Sequence, residues 1–296
     1  MRWYILMLLC VIWWAVGPAV FSQAQRVESA ESHTPQRIIT LAPNLTEIVY
    51  GLGLGDQVVA VTQFSDFPEA VQSKPKVGSF WQLNLEAIVG RQPDLVLALG
   101  FTQQRDLARR LRRMHVPVET FNIEDFNDLL TVIEGIGKIT ERPLQAAVMV
   151  ESLQAELAAV QEKVRHARRP RVLWSIQREP LRVAGRKTFV NWIIENAGGT
   201  NAIGPTLHQY PPVGAEQVLA CQPEVIIEQL MVQRNPTEQL KQAKVFWQRY
   251  EHLPAVQSQR IGVLDDDLVA RMGPRIVEGV RATAEMFHPD LFGVAP

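Results

Sequence analysis

From Leu144 to Arg169 the sequence LQAAVMVESLQAELAAVQEKVRHARR runs without a glycine or an internal proline. It is rich in Ala, Leu, Glu and Gln, residues that lose little on entering a helix. Pro143 suits the first helical turn, and Arg165, Arg168 and Arg169 stand where the negative end of the dipole favours cations. At 1.5 Å per residue such a helix extends roughly 38 Å, enough to cross a whole domain face. No strict heptad is sustained, so a connecting bar is expected rather than a coiled-coil seam. The chain on either side of the bar must then fold on a plan of its own.

Those two plans look alike. Before the bar, strands are expected at 37–41, 58–61, 94–99 and 118–121. They alternate with helices starting at Asn44, at 84–90, at 103–114 and after Asn122. Asn44 reads as an N-cap with Glu47 as its capping-box partner, and Asn122 as the cap of the last helix. After the bar come strands at 171–176, 224–228 and 261–264, with helices at 188–197, 215–221, 236–250 and 274–287. The phrase NLEAIVGRQPDLVLALG (84–100) returns as GAEQVLACQPEVIIEQL (214–230), which puts Glu86 and Glu216 in equivalent places. The expected class is α/β: two similar parallel-sheet lobes, 36–141 and 170–296, joined by one long helix, 142–169, with a ligand cleft between them.

The remaining composition narrows the setting. Of 296 residues, 47% are hydrophobic and 21% charged, with a formal charge of −1, which fits a globular protein and offers nucleic acid no basic field. RRLRR at 109–113 alternates with apolar residues and reads as a solvated helix face. Residues 1–24 combine Arg2, an apolar stretch, Gly17-Pro18 and a small-x-small site, so a signal peptide cut after Ala24 is expected, then a flexible leader, 25–35. Cys10 follows bulky Met7-Leu8-Leu9, unlike a lipidation site. Export to the periplasm would leave Cys221 as the one cysteine, with no intrachain disulfide and an inert buried thiol.

Catalytic signatures are missing. GLGLG (51–55) follows a helix and precedes a strand, so its glycines serve a turn and not a dinucleotide. There is no G-x-S-x-G, P-loop, H-E-x-x-H or C-x-x-C. The six histidines are scattered, and only His208 stands in a loop that could face a ligand. Aromatic and charged loops do gather at the carboxyl ends of strands: QFSDFP (63–68), GSFWQ (78–82), HQYPP (208–212) and DDDLVARMGPR (265–275). Together they suit a cleft for a large, partly apolar solute with polar groups at its rim. A secreted α/β enzyme stays open as another reading, without a candidate nucleophile or base.

In order along the chain, RIITLAPNLTEIVYGLGLGDQVVAVTQFSDFPE, NLEAIVGRQPDLVLALG, NAGGTNAIG, EQVLACQPEVII and ARMGPRI resemble the helical-backbone solute-binding proteins of ABC importers, and within them those that bind cobalamin. The likeness covers residues 36–288. It implies a non-enzymatic, monomeric periplasmic receptor with no cofactor or metal site, whose transported ligand is cobalamin or another corrinoid. The partner it implies is an inner-membrane permease dimer, docked through Glu86 and Glu216. Its ligand contacts fall on Phe64, which stands where a tyrosine is expected, on Phe80 or Trp81, on Tyr210, and on Asp267, Leu268, Val269, Ala270 and Arg271. Leu268, Val269 and Ala270 replace a more aromatic and acidic run. Ala197 and Ala284 stand where some members carry a disulfide. The same machine carrying a ferric siderophore or haem is the alternative, with Tyr210 or His208 as an axial ligand. Little lobe closure is expected on so stiff a bar.

Overall fold

Two sheets form the frame of the computed structural model, which describes residues 34–230 and 235–293. The expected signal segment, and the leader up to residue 33, lie outside the described residues. The first sheet has the order β2-β1-β3-β4. It is built from β1 (Ile38–Thr40), β2 (Val58–Val61), β3 (Leu95–Leu99) and β4 (Val118–Phe121), all parallel. The second sheet is built from β5 (Arg171–Arg178), β6 (Leu181–Val183), β7 (Thr200–Asn201), β8 (Val225–Leu230) and β9 (Ile261–Asp265). Its main path runs β6-β5-β8-β9, and β7 pairs with β5 off that path. The second lobe departs from an all-parallel plan, because β6 folds back antiparallel on β5. Neither β6 nor β7 was foreseen from the pattern, being only three and two residues long.

Strand residues point alternately to opposite faces, and both faces here are covered. Ile38, Leu95, Leu97 and Leu99 enter one large apolar cluster, while Ile39, Val96 and Ala98 enter a second on the far side of the same sheet. In the other lobe Val172, Trp174, Val225 and Ile227 enter the large cluster, and Leu173 and Ile226 a third. Doubly covered parallel strands read as unbroken aliphatic runs. The large cluster is shared by the two lobes. It is continuous through the linking helix Pro143–Val164, which buries Ala146, Leu153, Leu157, Val160 and Val164 on one stripe. That helix packs on helices Phe126–Ile139, Phe189–Asn196 and Ile276–Phe287. Pro35–Pro296 is accordingly one compact unit and does not divide at the lobes. No helix among the described residues is long and apolar enough to cross a membrane.

The repeated phrase is a repeated device. Gln92 and Gln222 both take a left-handed backbone, φ 49° and 42°, which is uncommon for residues with a Cβ. Each turns its carbonyl toward the arginine that leads into its lobe's first strand. Arg37 Nε donates to Gln92 O at 3.0 Å, and Arg171 Nε to Gln222 O at 3.0 Å. The acid two residues later accepts from that arginine's backbone N–H, Arg37 N to Asp94 at 2.8 Å and Arg171 N to Glu224 at 2.9 Å. The same staple thus ties the first strand to its parallel neighbour in both lobes.

Two expected caps are corrected. Helix Phe126–Ile139 is capped by Asp125, whose carboxylate accepts from Asp128 N at 2.9 Å, and not by Asn122. Helix Pro43–Gly51 starts at Pro43 behind Ala42, with no side-chain cap. Asn44 and Glu47 lie inside it and reach elsewhere.

Candidate functional site

The loops after β1, β3 and β4 leave the carboxyl edge of the first sheet, the edge at which open α/β sheets bind ligands. With the strand ends and helix start they adjoin, they supply Ala42, Pro43 and Asn44, then Leu99, Gly100 and Phe101, then Phe121, Asn122, Ile123 and Glu124. Opposite stand Phe189, first residue of its helix, and Ala270, Arg271 and Met272, which follow the short helix Asp266–Val269 after β9. With Phe80 these residues enclose a cleft of about 450 Å³ between the lobes. Gly100 permits the fold of this wall, since a Cβ there would lie 1.8 Å from the Asn122 side-chain oxygen. Phe80 meets Trp81 and Phe101 edge to face, with centroids 4.8 and 5.4 Å apart, so the aromatic surface continues outward from the cleft.

The polar part of the cleft centres on Arg271. Its guanidinium pairs with Asp267 one turn earlier and lies 3.7 Å from Asp66 in the loop after β2. Its buried Nη1 has no hydrogen-bond partner among the described residues. Asp265, Asp266 and Asp267 hold their carboxylates close together. Burial, then the Asp267 charge, push the Asp266 carboxyl up to about 6. Arg271 thus pairs with Asp267 and lies near Asp66, while Asp265 and Asp266 stand beside Asp267.

Below the cleft a polar seam joins the lobes. Asn44 Nδ2 donates to Met272 O at 2.9 Å, and Arg275 Nη2 donates to Glu47 Oε1 at 3.0 Å. The Arg275 guanidinium also lies over the Phe67 ring, 4.1 Å from its centroid. Glu47 is 6% exposed, and burial raises its carboxyl above the usual range against the pull of Arg275.

Of the sequence-derived ligand residues, Phe80, Ala270 and Arg271 stand in the cleft wall. Trp81 and Phe64 lie outside it, 65% and 42% exposed. Asp267 is outside the walls and pairs with Arg271. Tyr210 is half-buried against the shared core, which pushes its phenol up, and with exposed His208 it is outside the walls. Leu268 packs partly on that core, and Val269 is wholly buried in it and has no surface to offer a ligand, contrary to expectation. Phe101, Phe121 and Phe189 were missed. They close strands or open helices, where an aromatic looks like ordinary core.

Glu86 and Glu216 are exposed second residues of helices Leu85–Val89 and Ala215–Cys221, and neither is in an ion pair among the described residues. Cys221 is a free, half-buried thiol, raised to about 11 by burial, too high for a ready nucleophile.

Comparison with known proteins agrees with this geometry. A vitamin B12-binding protein of Vibrio parahaemolyticus is 27% identical over 254 residues, 86% of this chain and 90% of its own. An uncharacterised ABC transporter substrate-binding lipoprotein of Bacillus subtilis is 30% identical over 94% of this chain and 88% of its own. A periplasmic heme-binding protein of Roseiflexus superposes with a TM-score of 0.75 at 26% identity, covering 86% of this chain and 99% of that one. The profile of the periplasmic binding proteins matches residues 38–268. Two lobes beside a cleft, joined by one helix, are what such a protein requires, and the chain belongs to the periplasmic binding protein family, non-enzymatic transport components that bind a solute.

Proposed function

We propose that this chain is the receptor of an ABC importer and that its solute is cobalamin or a related corrinoid, taken up between the lobes. The observation that carries the reading is the cleft's combination of aromatic walls with a charge-matched rim. Phe80, Phe101, Phe121 and Phe189 suit the faces of a large ring. Arg271 is already answered by Asp66 and Asp267, with Asp265 and Asp266 close by. An anionic edge would meet more negative than positive charge there, whereas neutral amides, such as those fringing a corrin, carry no charge for that rim to repel. The vitamin B12-binding relatives support the same choice.

The alternative solute is haem, favoured by the heme-binding structural relatives. The cleft wall, however, contains neither a histidine nor a tyrosine among the described residues, and propionates would face the acidic rim. A ferric siderophore rich in carboxylates meets the same obstacle. Glu86 and Glu216, one per lobe and both exposed, are the proposed contacts with the two halves of a permease.

Calorimetric titration with cyanocobalamin, cobinamide and haem tests the solute. Heat with the corrinoids and none with haem is expected; tight haem binding with silent corrinoids overturns the assignment. Charge reversal at Glu86 and Glu216 is expected to leave solute affinity unchanged and to weaken permease association. Loss of solute affinity would remove them from the docking role.

A further inference from the structure

Every polar contact described between the lobes beside the cleft converges on residues 271–275. Asn44 holds the Met272 carbonyl, Glu47 holds Arg275, Asp66 faces Arg271, and the Phe67 ring underlies Arg275. Gly273 allows this approach, because a Cβ there would sit 3.0 Å from Asn44 Cβ and 3.6 Å from Glu47 Oε2. Arg275 also occupies the N-cap position of helix Ile276–Phe287, where the positive end of the dipole disfavours a cation. Its placement there makes sense through Glu47, whose carboxylate is nearly enclosed and needs a charged partner. Glu47 and Arg275 are 228 residues apart in sequence.

We propose that Glu47 and Arg275 are a positioning pair: together with Asn44 and Phe67 they pin the 271–275 segment to the first lobe, and so fix the width of the cleft and the attitude of Arg271 within it. Neither residue of the pair lines the cleft. They act through Arg271, which opens the pinned segment and pairs with Asp267 one turn earlier. A directional contact suits this task better than apolar packing, since a guanidinium held by a carboxylate tolerates little displacement. The part concerning solute rests on the corrinoid reading above; the part concerning lobe register does not.

The test uses the full chain, Glu47→Gln and Phe67→Leu, with two readouts. The first is amide exchange. Glu47→Gln should speed exchange on the order of tenfold in 44–50 and 272–280 while β3 and β8 keep their protection. The second is the kinetics of cyanocobalamin binding, where dissociation should quicken about tenfold with association unchanged. Arg275→Lys in the otherwise unchanged chain, which keeps the ion pair with Glu47, should show only a small part of either effect. Should Glu47→Gln not fold, Phe67→Leu alters an exposed ring and should give a smaller change of the same kind. Acceleration spread equally over both sheets, or none, overturns the pair as a positioning element. A wild-type chain that ignores cyanocobalamin overturns the corrinoid reading instead, while the exchange result still decides the seam.

Discussion

The two lobes touch in two ways. Along the linking helix the contact is dry: Leu153, Leu157, Val160 and Val164 merge with Trp174, Ile276 and Phe287 into one core. At the cleft it is polar and sparse, a few hydrogen bonds and ion pairs around residues 271–275. The difference is one of chemistry and of task. Apolar burial is strong but non-directional, so it holds the lobes together without fixing small displacements. Charged and hydrogen-bonded pairs add less net stability and specify geometry. Strength is placed along the linking helix, and direction beside the cleft.

That division can be broken at either end. Phe287→Ala, in the dry contact, should cost about 3–5 kcal/mol by removing a buried aromatic and leaving a cavity. Urea denaturation would show it as one lowered midpoint, and two separate transitions would mean that the lobes do not share a core. Asn44→Ala, at the cleft, should cost about 1 kcal/mol for one lost bond to Met272 O. Its larger signature should be faster amide exchange around residue 272. Asp266→Asn gives an effect that depends on pH. The Asp266 carboxyl is raised from 3.8 to about 6, so folding favours its protonated form. The group's contribution is present below 3.8 and is lost as pH rises through about 6. Because the side chain is partly solvated, the neutral amide should add only about 1 kcal/mol near neutral pH and nothing in acid, seen in melting curves.

Much of the fold was legible because its strands are doubly buried and its helices periodic. The phrase shared by 84–100 and 214–230 announced the duplication, and the staple made by Gln92 and Gln222 gives it a mechanical meaning. Asn44 and Glu47 misled for a definite reason. An Asn followed three residues later by a Glu satisfies the local pattern of a capping box. Nothing local distinguishes that from two side chains reaching a partner 228 residues away. The cleft was half legible. Arg271 and Phe80 stood out in loops, whereas Phe101, Phe121 and Phe189 sit at the ends of regular elements, where tertiary placement decides which way an aromatic faces.

The shared core also bears on how such a chain acquires its structure. A ribosome or export channel releases the amino-terminal end first, and residues 38–164 contain one complete apolar layer and one unfinished one. The stripe of the linking helix and the inner face of the first sheet find their remaining cover in Trp174, Val225, Ile276 and Phe287, the last of them near the far end of the chain. A half-delivered molecule therefore exposes a sticky surface that no rearrangement of its own can hide. That surface stays uncovered until almost the final helix has emerged, and a truncation anywhere in the second lobe should yield an aggregate in place of a smaller binding protein.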